Sequence, residues 1–151
     1  MFYDNGVTGA LNSDWWKSSS NITVTGSTTG ITATNSTSST YYLAPNKNGT
    51  SGSSMSDLVD WNDFICEFTH ISHTGTTTID LRNANGNVAQ YSVGNLTEGD
   101  KIRIQYTNNT ITAYKNETPI TFSSSITGDV MIRFAITNGS LTFKEFKVYS
   151  I

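Results

Sequence analysis

From Lys101 to Tyr106 apolar and polar residues alternate without a break, as Lys-Ile-Arg-Ile-Gln-Tyr. Side chains of a strand point to opposite faces in turn, so this pattern sends Ile102, Ile104 and Tyr106 to a core and Lys101, Arg103 and Gln105 to solvent. Asn108-Asn109 follows as a two-residue turn, because Asn tolerates positive φ. Thr110 to Lys115 then returns antiparallel, and Pro119 fits a strand edge or start, where a missing N–H does least harm. The same period recurs elsewhere. Phe64, Cys66 and Phe68 share one face of a strand over residues 63–71. Thr77 to Arg82 and Val88 to Tyr91 flank Asn85-Gly86, a strong hairpin signal. Met131 to Thr137 alternates with Ile132, Phe134 and Ile136 inward, and Asn138-Gly139 predicts a tight turn into a last strand, Leu141 to Tyr149, paired with it.

That last strand breaks phase. Leu141 and Phe143 have one parity, Phe146 and Val148 the other, so a regular strand cannot bury all four on one side. A β-bulge or bend near Lys144-Glu145 is expected to reset the register. Residues 17–56 are mostly Ser, Thr, Asn and Gly, with apolar islands at Ile22/Val24, Ile31/Ala33 and Tyr41-Tyr42-Leu43. A low-complexity linker is one reading. Short strands with long loops is the one adopted, because the islands recur at the 8–12-residue spacing of sandwich strands and Thr suits strands. Lys47 to Ser56 is the expected mobile loop. No segment has a sustained helical period, and no repeat or domain boundary is visible. The prediction is one all-β domain over 1–151, a two-sheet antiparallel β-sandwich.

The chain has 151 residues, of which 36% are hydrophobic, 11% aromatic and only 14% charged, against roughly 25% charged in an average soluble domain. Hydroxyl and amide residues fill the gap. Such a surface suits an extracellular or virion setting, or is simply the style of a low-charge β protein. A net charge of −3 and no basic stripe argue against nucleic acid. Apolar runs are too short to span a bilayer. Met1-Phe2-Tyr3-Asp4 has neither a basic nor an apolar leader region, so no secretory signal is expected.

The stretches "WNDFICEFTHI", "TTIDLRNANGNVAQYSV", "GDKIRIQYTNNTITAYKNETPI" and "GSLTFKEFKVYS" together resemble the concanavalin A-like, laminin-G-like jelly roll. The opening "FYDNG" looks like the first strand of such modules, which lies beside the last. The resemblance covers the final two thirds and is thin over residues 17–56. It implies a lectin-like module of the kind found in viral tail fibres and microbial adhesins. The superfamily also holds glycoside hydrolases, whose acids sit as Glu-x-Asp-x-x-Glu on one strand. That motif is absent here. Asp63 and Glu67 come nearest, but four strand residues separate them by about 13 Å, too far for a hydrolytic pair, so no enzyme is expected.

His70 and His73, three apart on a strand, point to opposite faces unless the chain turns at Ser72, and read as surface or edge histidines. Cys66 has apolar parity and reads as a small buried hydrophobe. No cofactor is expected. Calcium is the one left open, with Asp57, Asp60 and Asp63 as candidates, since lectin-like jelly rolls hold it on Asp and Asn oxygens. For a binding surface the handles are aromatic: Trp15, Trp16, Tyr41, Tyr42 and Trp61. Adjacent rings on an extended chain face opposite ways, so one of each pair can be core and its neighbour exposed. The expected function is recognition of a cell-surface glycan or receptor, with a spacer or assembly domain, as in a fibre trimer, as the alternative and a carbohydrate-active enzyme third.

Overall fold

Two very long strands organise the chain. β6 (Phe64–Asn83) has 20 residues and β11 (Val130–Ser150) has 21, where five or six is usual. They pair antiparallel along their whole length, from Val130 opposite Asn83 to Ser150 opposite Phe64. The computed structural model describes residues 2–4, 16–47 and 54–151. Among these the other strands are β1 (Phe2–Asp4), β2 (Trp16–Ser18), β3 (Thr23–Ser27), β4 (Gly30–Asn35), β5 (Tyr41–Pro45), β7 (Val88–Ser92), β8 (Lys101–Thr107), β9 (Thr110–Lys115) and β10 (Thr118–Ile120). The only helical pieces described are 3₁₀ turns at Met55–Leu58 and Val93–Asn95.

Each half of the β6–β11 ribbon anchors a sheet. The half containing Phe64 and Ser150 carries β8, β9 and β10 on one side and β1 on the other. The half containing Asn83 and Val130 carries β7 on one side and β5 then β2 on the other. Between them, Gly139 to Phe143 of β11 pairs with β4, and β3 lies outside β4. The sheets face one another across a single apolar core. Phe68 from the first meets Phe134 from the second edge to face, with centroids 5.4 Å apart, and Phe143, Phe146 and Trp16 complete the aromatic cluster. The all-β sandwich expected from the alternation is therefore the fold.

Bulges let the two long strands change sheets. Ile71 is an extra residue on β6, since Thr142 faces Ser72 but Phe143 faces His70. The expected reset near Lys144-Glu145 is present: register shifts between Lys144 and Lys147, Glu145 adopts φ 54°, and Leu141, Phe143, Phe146 and Val148 are all fully buried. A third shift, between Thr137 and Ser140, overturns one expectation. Asn138-Gly139 does not close a hairpin; the chain runs on as one strand, and the segments read as separate strands over 63–71 and 77–82 are likewise continuous. Left-handed Asn suits a bulge as well as a turn, and here it faces a left-handed glycine (Asn138 φ 47°, Gly75 φ 68°). At this crossing the backbones nearly touch. A Cβ on Gly139 would lie 1.9 Å from Thr74 O, and one on Gly75 would lie 2.2 Å from Asn138 O.

The shorter elements follow the pattern closely. Asn108 and Asn109 both have positive φ (48° and 58°) between β8 and β9, and Pro119 lies on the edge strand β10. In the β6–β7 hairpin only Gly86 is left-handed; Asn83 Oδ1 accepts from the Asn85 and Asn87 N–H groups and holds the turn. The Thr- and Ser-rich first third forms β2 to β5 as expected. The proposed mobile loop, Lys47 to Ser56, lies largely outside the described residues, as does Trp15.

Because no side chain fits at the crossing, Gly139→Ala is expected to cost roughly 4 kcal/mol or more, the range of exceptional mutants. Gly128→Ala, at φ 80° with nothing within 4 Å, is expected to cost about 1–2 kcal/mol for the left-handed backbone alone. Urea unfolding of both variants checks the contrast; similar losses would mean that the crossing is not tight.

Candidate functional site

The outward face of the first sheet carries the residues that the β8 alternation sends to solvent. Strand register places four of them in one row: Tyr114 on β9, Arg103 on β8, Glu67 on β6 and Lys147 on β11. Arg103 and Glu67 stand directly opposite one another, yet they form no ion pair. Arg103 leans over the ring of Tyr114, 4.6 Å from its centroid, and reaches Glu117 at 3.6 Å. Glu67 leans the other way, with Lys147 Nζ 2.9 Å from one oxygen and Tyr149 OH donating to the other at 3.1 Å.

The parted pair opens a groove of about 290 Å³, lined also by Thr69, Lys101 and Glu145. The bulge at Glu145 brings its carboxylate into this groove, where Oε2 accepts from Thr69 Oγ1 at 3.4 Å. Arg103 Nε is shielded from solvent and meets no acceptor among the described residues, where buried polar groups are usually paired. The Tyr149 hydroxyl is held above its ordinary pKa by burial first and by Glu67 second, so it stays a donor. The groove therefore offers carboxylate acceptors and ammonium and guanidinium donors within one shallow surface.

The residues singled out from sequence are placed elsewhere. Trp16 is in the core, against Phe143 and Phe146. Trp61 is buried against Phe64. Neither ring is presented to a ligand, because each caps the large apolar gap between the sheets. Tyr41 packs partly buried on the core edge. Tyr42, half-buried, points to the opposite face and covers Arg133. Asp57, Asp60 and Asp63 have separate surroundings. Asp57 caps the 3₁₀ turn through Ser54, and Asp63 Oδ1 accepts from Thr107 Oγ1 and the Asn108 N–H. Asp60, whose carboxyl is raised by desolvation, offers its backbone carbonyl to Lys47. Among the described residues no three acidic, His or Cys side chains are grouped to hold a metal ion. Cys66 is fully buried, and burial pushes its thiol far above the ordinary range.

The histidines differ from expectation. The extra residue at Ile71 rotates the strand between them, and their rings meet: His70 Nε2 lies 2.9 Å from His73 Nδ1. His70 Nδ1 lies 3.0 Å from Thr97 O. A carbonyl only accepts, so Nδ1 of His70 carries the proton and its Nε2 accepts from His73. His70 is 1% exposed, and burial is the main reason that its pKa falls below the ordinary value.

No protein-family model matches the sequence, and no curated protein matches it. Among solved structures, the carbohydrate-binding module CBM66 from Bacillus subtilis superposes with a TM-score of 0.60, covering 90% of this chain and 96% of that one at 10% identity. The fold resembles a carbohydrate-binding module. At that identity the likeness is one of fold and carries no individual residue across.

The His70 geometry fixes a pH dependence. With the folded pKa depressed, the unfolded chain binds the proton first, so stability is lost as pH falls from about 6.5 towards the lower folded value. The urea midpoint is expected to drop from pH 7.5 to pH 5, and His70→Gln is expected to flatten that drop. An NMR titration placing His70 at or above the free-histidine value would contradict the assignment.

Proposed function

We propose that this chain is a non-catalytic module that seats a glycan in the groove between Arg103 and Glu67. The observation that carries this reading is the parting of those two groups. Opposite charges in direct register would ordinarily close on each other; here each is held back by a second partner, Tyr114 and Glu117 for Arg103, Lys147 and Tyr149 for Glu67. A gap flanked by a carboxylate and a guanidinium fits neighbouring sugar hydroxyls, which donate to the first and accept from the second at once. The all-β sandwich shared with a carbohydrate-binding module supports the same reading. Binding is favoured over hydrolysis because Glu67, central to the row, is already engaged by two donors, Lys147 and Tyr149. The low charge and hydroxyl-rich composition fit a cell-surface glycan as target, with a viral tail fibre or an adhesin as the setting.

A glycan array on the intact chain identifies the ligand. Glu67→Gln and Arg103→Ala are then each expected to weaken it about tenfold or more, in line with the 1.5–3 kcal/mol of a charged hydrogen bond. Far-UV circular dichroism should be unchanged, because both side chains lie on the outer face. Silence across a broad panel of host envelope glycans, or full affinity in both variants, would sink the proposal.

A further inference from the structure

The outward face of the second sheet has a different chemistry. In one row across β7, β6 and β11 stand Gln90, Asp80 and Arg133. Asp80 is fully buried and both its oxygens are engaged: Oδ1 accepts from Thr78 Oγ1 at 2.7 Å and Gln90 Nε2 at 3.1 Å, Oδ2 from Arg133 Nε at 3.0 Å. The guanidinium lies under the ring of Tyr42, 3.8 Å from its centroid. Its position and plane are thus fixed from two sides. Only Nε is used. Among the described residues neither Nη meets an acceptor.

A rigid fork whose outer edge is unpaired, on a side chain 10% exposed, is the geometry that a planar carboxylate recognises, through two parallel N–H bonds. The charge around it agrees. Lys17 and Arg82 have the same outward parity, so the strands of this sheet carry three outward cations to one outward acid on a chain of net charge −3. Its other outward polar and aromatic groups are Thr78, Gln90, Ser92 and the Tyr42 ring, set among the small apolar Ala44, Val88 and Ala135. Met131, on the same face, is sealed against Leu58 and Met55 and offers no apolar pocket. Such a surface suits a sugar ring better than a peptide side chain.

We propose that this face is a second binding site, selective for the carboxylate of an acidic saccharide, with Arg133 as the fork and Tyr42 and Asp80 as its positioning residues. The site is independent of the groove and lies on the opposite side of the sandwich. Trigalacturonate and its carboxyl-reduced, neutral counterpart are the probes, followed by amide shifts of the labelled protein. The acidic trimer is expected to shift Tyr42, Thr78 and Ala135 while leaving Glu67 and Tyr114 in place, and to bind about tenfold or more tightly than the neutral one. Raising salt from about 0.05 to 0.5 M should weaken it. Arg133→Lys keeps a cation beside Asp80 and should abolish the preference; Glu67→Gln should leave it intact. Equal affinity for the two trimers, shifts confined to the groove, or equally good competition by inorganic phosphate or a peptide carboxylate would overturn the proposal. If Arg133→Lys fails to fold, the shift map and the competition decide.

Discussion

Everything in this fold hangs on the antiparallel pairing of β6 with β11. One ribbon of 20 and 21 residues supplies a central pair of strands to each sheet. A flat ribbon of that length cannot belong to two facing layers. It must coil, and its side chains must change parity as it does. The bulges at Ile71 and Glu145 reset the parity, and the crossing at Gly75 and Gly139 lets the backbones approach where no Cβ fits. With the ribbon bent, Phe68 and Phe134, which would otherwise lie far apart along one ladder, meet across the core. The sandwich is thus a consequence of a few irregular residues inside two otherwise regular strands.

This explains what the sequence shows and what it hides. Alternation at Ile102, Ile104 and Tyr106 is local, so the inward and outward faces of β8 are legible in six residues. The bulge at Glu145 is legible for the same reason: four apolar residues on two parities have no other common solution. Asn138-Gly139 misleads because the signal is about backbone conformation, and a left-handed Asn is compatible with a chain that reverses or one that continues. The deciding fact, a left-handed glycine at residue 75 waiting opposite, lies 63 residues away in sequence. The same distance hides the His70–His73 contact, which depends on one extra residue against β11.

The sites were less legible than the fold, and the reason is again register. Each member of the Tyr114, Arg103, Glu67 and Lys147 row is outward-facing by simple parity. What makes them a row is the alignment of four strands, three of them far apart in sequence. Aromatic content pointed instead to Trp16 and Trp61, because large flat rings suit sugars. In a sandwich with few charges those rings are also the best fillers of the space between sheets, and the core took them. Of the described candidates Tyr42 alone kept an outward post, and it did so by covering a guanidinium.

The two outward faces differ in how they handle opposed charge. On the first sheet, Arg103 and Glu67 are both partly solvated, so each can take an alternative partner at little cost, and the gap between them stays open. On the second, Asp80 is cut off from water, and a buried carboxylate without its partner is strongly destabilising. It therefore holds Arg133 fast, and Thr78 and Gln90 satisfy what remains. One pair is parted and the other closed because burial, not sequence separation, sets the penalty for leaving a charge alone. A closed pair that still leaves half a guanidinium unused has its geometry fixed before any ligand arrives, whereas the parted pair leaves its partners room to adjust.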